Sequence, residues 1–465
     1  MKPNRFFGDR HFYARAVAVA LPIIVQNGIT NFVSLLDNVM VGRLGTEEMS
    51  GVAVANQLMF IFNLFVFGAI SGAGIFTAQF FGSGDNKGIR ATFRFKLMTC
   101  VGIAAIGIAV FGIFGTNLIS FYLSDDSSGD IAYTLRSGLE YLNVMLFGLL
   151  PFTLTQAYAG TLRECGNTRL PMIASIAAVA TNLCFNYILI FGNFGAPALG
   201  VRGAAIATVI SRFVELGIII IFSHAGAAKR PYIKGLYKSL AVPGDIAKAI
   251  IIKGTPLMIN ELAWSLGISL VVQCYSTRGL AVITAINISN TVANLFNIVF
   301  ISFGSVIAII VGQDLGANET EKAKLDAGRL ITFSTLISVA VALLMIAVSP
   351  FVPLLYNTSE QVRSLATKLI ICAALMMPLG SIANGTYFTI RSGGKTLITF
   401  LFDSVFVMLV TVPVAFCISR LTDMPIIPMY LCCQSLDAIK CIIGIILVNN
   451  GMWINNIVED KIQTE

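Results

Sequence analysis

Val52-Ala53-Val54-Ala55-Asn56-Gln57-Leu58-Met59-Phe60-Ile61-Phe62-Asn63 has a counterpart 234 residues further on, Ile286-Asn287-Ile288-Ser289-Asn290-Thr291-Val292-Ala293-Asn294-Leu295-Phe296-Asn297. Asn56 falls on Asn290 and Asn63 on Asn297, with no gap between the two apolar segments. The register extends outward, pairing Pro22 with Pro256, Gly45 with Gly279 and Gly82 with Gly316. After a six-residue change of offset, Arg163-x-x-Gly166-x-Thr168 matches Arg391-x-x-Gly394-x-Thr396, and Arg212 matches Lys440. Chance agreement at fixed offsets would not fall repeatedly on proline, glycine, asparagine and arginine. The chain reads as two copies of one apolar unit, the pattern of membrane machines built from repeats around a central cavity. With an even number of spans in each copy, the repeat is parallel.

Composition supports this reading. Of 465 residues, 56% are hydrophobic and 12% charged, with a mean hydropathy of +0.82. Soluble domains carry about 25% charged residues, so a soluble fold would leave apolar surface uncovered. The net charge of +7 is not gathered into one patch and points to no nucleic-acid partner. Nine cysteines have no metal or redox spacing; they read as small buried hydrophobes. His11 and His224 are the only histidines, too few for a zinc or haem site. No nucleotide-binding P-loop occurs, so ion gradients are the expected energy source and no cofactor or enzymatic activity is expected.

About 20 apolar residues are needed per span. Windows of that kind fall at 16–38, 51–80, 94–118, 132–156, 169–192 and 201–223, then at 247–274, 283–312, 329–349, 364–388, 397–418 and 425–449. The fold class is therefore an all-α integral membrane protein with twelve transmembrane helices in two pseudo-symmetric six-helix bundles, residues 1–223 and 246–465, joined by a basic cytoplasmic linker at 224–245. The basic stretch before the first span has no cleavage signal, which predicts a retained first helix. With the N-terminus inside, Lys and Arg favour the cytoplasmic side about threefold, with Lys2, Arg5, Lys87, Arg90, Arg94, Lys96, Lys234 and Lys461 among them. Asp125, Asp126 and Asp130 share one outer loop. The expectation is a multi-pass plasma-membrane protein, both termini cytoplasmic, in contact with membrane lipid and acting as a monomer.

Several stretches together resemble the multidrug and toxic compound extrusion (MATE) family: Leu36-Asp37-Asn38-Val39-Met40-Val41-Gly42-Arg43-Leu44-Gly45, Ala78-Gln79-Phe80-Phe81-Gly82, Leu162-Arg163-Glu164-Cys165-Gly166-Asn167-Thr168, and Asn182-x-x-x-Asn186-Tyr187. The likeness spans nearly the whole chain. It implies two bundles around a V-shaped cavity and export of cationic or amphipathic small molecules in exchange for H+ or Na+. It also implies a cation site on the first-helix acid, here Asp37. One branch places an aspartate where this chain has Asn186, which removes a carboxylate that could share a proton with Asp37. Another branch uses a seventh-helix glutamate, matched by Glu261, and a tenth-helix aspartate, where this chain has Gly380.

An acid inside hydrocarbon costs about 2.5–3.5 kcal/mol on insertion scales, so one that persists usually serves an ion pathway. Asp37 and mid-span Glu261 are accordingly the first candidates for cation coupling, for a proton or a sodium ion. The bland alternatives are an interfacial Asp37 paired with Arg43 and a static, hydrogen-bonded Glu261. Asp403, without a partner in its own helix, joins them, with Asn182 and Asn186 one turn apart beside the first site. Asn56, Asn63, Gln156, Asn290, Asn297 and Asn384 are candidates for the polar cavity lining, against a role in binding helices together. Arg212 with Glu215, and Asp437 with Lys440, are spaced i,i+3 and are expected to compensate each other on one helix face. The alternative function is a lipid or lipid-linked oligosaccharide flippase, which would need a strongly basic cavity.

Overall fold

In the computed structural model, residues 6–123, 130–356 and 358–459 are described; the expectations that fall on Lys2, Arg5, Asp125, Asp126 and Lys461 lie outside them. Among the described residues, twelve helices are long and apolar enough to cross a membrane. They are α1 Arg10–Gly42, α2 Thr46–Gly82, α3 Asn86–Tyr122, α4 Ile131–Glu164, α5 Arg169–Phe191, α6 Gly200–Ala225, α7 Gly244–Ser276, α8 Leu280–Gly316, α9 Thr320–Val348, α10 Glu360–Ser392, α11 Thr396–Leu421 and α12 Ile426–Asn449. Each hydropathy window has its helix, and many run one or two turns beyond it. Hydropathy senses only the hydrocarbon layer, whereas a helix continues until a cap or glycine ends it.

Among the described residues, α11 and α12 depart from regular geometry. In α11, Leu401–Val405 and Val407–Thr411 adopt wide π-helical turns, a local loosening of the winding that often marks a functional position. The α12 span is interrupted at Leu436, between Ile426–Ser435 and Asp437–Asn449. Pro22, Pro151, Pro256 and Pro378 lie inside α1, α4, α7 and α10, where neighbouring helices can satisfy the backbone groups that a proline frees.

By contacts the chain forms two compact units, one of Val25–Thr77 with Asn86–Ile251, the other of Met1–Ile24, Ala78–Asp85 and Ile252–Glu465. The start of α1 and the end of α2 thus group with the second repeat. Packing accounts for this: Phe12, Ala16, Ala20 and Ile23 share a core with Phe303, Val306, Ile310, Leu330 and Trp453. In the same unit, the buried Gln79 amide donates to the carbonyls of Ser392 (3.0 Å) and Asn455 (3.1 Å). Its oxygen accepts from the Ile457 amide at 2.8 Å.

The repeat partners Gly82 and Gly316 sit in this unit at a reciprocal close approach. A Cβ on Gly82 would lie 1.9 Å from the Gln313 carbonyl oxygen, and one on Gly316 would lie 1.9 Å from that of Gln79. Helix backbones come this close only where no side chain intervenes. Gly316→Ala is therefore expected to destabilise the protein by about 1–3 kcal/mol, the cost of overpacking. Thermal unfolding in detergent measures it, with Gly28→Ala, which meets nothing within 4 Å, as the control.

The other unit includes the linker, which is folded against α3 and α4. Arg94 donates to the carbonyls of Leu236 (2.8 Å), Gly235 (3.1 Å) and Ala241 (3.3 Å), and Arg90 to that of Lys234 (3.1 Å). Tyr232, Ile233 and Leu236 are buried, and the Tyr158 hydroxyl meets Tyr237 and, at 3.2 Å, His224. Lys96, which the sequence groups with the cytoplasmic charges, is fully buried. Its ammonium pairs with Glu164 and donates to Thr161 Oγ1 at 3.4 Å.

Candidate functional site

In the Val25–Ile251 unit, the first repeat supplies a polar site. Asp37 is on α1, and Asn182 and Asn186 are on one face of α5 because four residues make about one helical turn. Asn186 Nδ2 donates to Asp37 Oδ1 at 2.6 Å. The Asn182 amide lies against the same carboxylate. In its better-satisfied orientation its nitrogen donates to both Asp37 oxygens, at 2.9 and 3.2 Å, with Thr208 Oγ1 at 3.2 Å from its oxygen. Asn182 is 5% and Asn186 1% exposed. Asp37 is therefore held by neutral amide donors and makes no ion pair with Arg43 among the described residues.

Asp37 opens onto a cavity of about 330 Å³. Asn56 and Asn63 of α2 line it, as the sequence predicts, with Tyr141, Thr208 and Arg212. Phe60, Met59, Met145 and Phe152 form its apolar wall. Arg212 meets Glu215 at 3.5 Å, the expected i,i+3 partner. Gln156 is not among the lining residues.

The other unit holds a second polar cluster. Asp403, on the first wide turn of α11, meets Lys440 of α12 at 2.7 Å. Its other oxygen accepts from Asn260 Nδ2 of α7 at 3.1 Å. The same Asn260 nitrogen lies 3.2 Å from the Tyr387 hydroxyl, and Ser404 Oγ donates to Asn260 Oδ1 at 2.7 Å. The Asp437 charge acts on Lys440, as the i,i+3 spacing predicts, but the direct ion pair of Lys440 is with Asp403. Lys440 reaches across helices to Asp403, and Asp437 makes no ion pair among the described residues.

Sequence reasoning misses Asn260, because its neighbour Glu261 is the more conspicuous group. A signal for it exists, since in the repeat register Asn260 pairs with Gln26, another mid-helix amide. Glu261 is half-buried and makes no ion pair among the described residues; the charges acting on it are those of Arg391 and Asp403. Arg391 itself is stacked near Phe388, 5.2 Å from the ring centroid. Asn384 donates to the Phe300 carbonyl at 3.1 Å, a helix-joining bond of the kind the bland reading expects. Asn290 and Asn297 are half-buried on α8 and belong to neither cluster by hydrogen bonding.

A sequence profile of the MatE family matches residues 22–188 and 256–417, which together are more than half of the chain. The chain belongs to the MatE family. Among its relatives is the probable multidrug resistance protein NorM of Thermotoga maritima, 25% identical over 407 residues, covering 86% of this chain and 84% of that protein. Another is the probable multidrug resistance protein YoeA of Bacillus subtilis, 24% identical, covering 88% and 87%. The fold is that of an outward-facing multidrug resistance MATE family transporter, with a TM-score of 0.83 at 17% identity, covering 94% of this chain and 96% of that one. A MOP superfamily transporter from Pyrococcus furiosus superposes with a TM-score of 0.80, also at 17% identity and with coverage of 94% and 96%.

As a MatE protein, the chain is a multi-pass membrane transporter, and the two profile segments fall on the two repeats. Asp37, Asn182 and Asn186 lie inside the first matched segment, and Asn260 and Asp403 inside the second. The repeat-related cations Arg212 and Lys440 lie outside both. Each cluster therefore combines acid, amide and one cation, but the cation contacts the coupling candidate only in the second. Lys440 touches Asp403 directly, whereas Arg212 touches Glu215.

Proposed function

We propose that this MatE protein is a secondary active antiporter that exports small amphipathic molecules bearing a cationic group, in exchange for H+ or Na+. The observation that carries the reading is Asp37, a membrane-embedded carboxylate clasped by two buried amides at the wall of a cavity large enough for a drug-sized group. Neutral amide donors hold the carboxylate in place without cancelling its charge, so it remains available to an incoming cation. In the other repeat the coupling candidates are Glu261, which falls on Asn27 in the repeat register, and Asp403, which is bound to Lys440. The relatives' names as multidrug resistance proteins favour export of drugs.

The moving bodies are the bundles 1–223 and 246–465 joined by the 224–245 linker, in the plasma membrane with both termini cytoplasmic, working as a monomer. Export against a gradient requires cargo and ion to favour different states of the protein, because equal affinity for both shifts nothing. A flippase for lipid-linked cargo fits less well. The cavity wall carries one arginine beside one aspartate instead of a strongly basic surface.

The test is flux of a fluorescent cationic dye in proteoliposomes under an imposed proton or sodium gradient. One of the two gradients is expected to drive accumulation in the wild type, and Glu261→Gln is expected to lower the ion-to-cargo stoichiometry. Dye movement indifferent to both gradients rejects the antiport reading.

A further inference from the structure

Arg212 is only partly used by its neighbours. One guanidinium nitrogen, Nη1, meets Glu215 at 3.5 Å, a long contact. Its plane is supported by the Phe152 ring, 4.8 Å from the centroid. Among the described residues no acceptor hydrogen-bonds the remaining N–H groups. An arginine fork carries five N–H donors and no acceptor, so most of its capacity is left over. Had Arg212 served only to neutralise Glu215, which is 5% exposed, burial of the pair would complete that task. Instead its side chain is 31% exposed and lines the same cavity as Asp37.

The cavity thus displays one carboxylate and one guanidinium with open donors, between aromatic and methionine walls. A compound with only a positive charge is drawn to Asp37 and repelled by Arg212. One that also bears a carboxylate can satisfy both, its amine at Asp37 and its acid in the arginine fork. Charge-assisted, bidentate pairing of this kind is strong and geometrically selective, and selectivity arises from the repulsive element as well as the attractive one. We infer that the cavity selects zwitterionic cargo, with Arg212 as the residue that recognises the anionic group. The inference rests on the reading that this cavity holds the cargo, and it narrows the cargo class.

The test is equilibrium binding to the purified full-length protein, which needs no ion gradient. A failure of the antiport reading shows only in flux, and a failure of this inference shows in binding. The probes are a xanthene dye with a free benzoate carboxylate and its methyl ester, followed by fluorescence anisotropy. The wild type is expected to bind the free acid about tenfold more tightly than the ester. Arg212→Gln is expected to remove that preference while changing ester affinity less than about threefold. Because this variant takes from the buried Glu215 its direct ion-pair partner, leaving only the field of Arg163, the double variant Arg212→Gln/Glu215→Gln repeats the measurement without that charge. Arg212→Lys, which keeps the charge but not the fork, is expected to retain only part of the preference. Equal affinity of the wild type for acid and ester, no binding of either, or equal weakening of both dyes in the variants overturns the inference.

Discussion

Lys440→Met is expected to destabilise the protein by about 3–5 kcal/mol, the cost of removing one partner from a buried ion pair. Lys440 and Asp403 side chains are 9% and 18% exposed and 2.7 Å apart. Truncating the cation leaves Asp403 with only the Asn260 amide, in surroundings where a lone carboxylate is costly. The loss belongs mainly to the charge left behind, so Asp403→Asn/Lys440→Met is expected to recover most of it. Thermal or denaturant unfolding in detergent, read as a double-mutant cycle over the two single variants and the double, measures the coupling. Additive single effects would mean that the pair is not an energetic unit. Asp437→Asn, which removes an acid that acts on Lys440 without a direct ion pair, is expected to cost less than Lys440→Met in the same unfolding measurement.

Asp37→Asn is expected to abolish uphill transport, with the steady-state accumulation ratio of a cationic dye falling to about one under either ion gradient. The substituted amide keeps the size of the side chain and can still bond one of the two α5 amides, so folding should survive. What disappears is the charge that distinguishes an ion-loaded from an ion-free site. With no differential affinity for the ion, the gradient cannot bias the protein between its states. Thermal unfolding in detergent is the internal control, since it shows whether the variant still folds. A variant that accumulates dye like the wild type would remove Asp37 from the coupling role. Asn186→Ala complements it by deleting the 2.6 Å amide contact while leaving the acid. It is expected to weaken ion coupling without abolishing it, and a wild-type stoichiometry would show that the clasp is not needed.

The number of spans, their places and the duplication were readable from one chain. Hydrocarbon thickness sets helix length, and acids or amides inside apolar runs are conspicuous. The first site was nearly complete in sequence terms. Asn182 and Asn186 share a helix face by spacing alone, and Asp37 stood out as an acid at the end of an apolar run. The second site was less legible. Glu261 is conspicuous, but Asn260 beside it makes the hydrogen bonds, and the partner of Lys440 is 37 residues away instead of three.

The reason lies in the solvent. In water, one apolar face of a helix announces which side turns inward. In lipid both faces are apolar, so hydropathy gives the depth of a residue but not its direction around the helix axis. The sequence by itself determined how many helices cross and which polar groups they carry inside. Only the tertiary structure decided which of those groups meet, because that depends on how each helix is rotated about its own axis against its neighbours. Where glycine stands at Gly82 and Gly316, the sequence marked a repeat position; the backbone contact that requires it came from the packing of two helices.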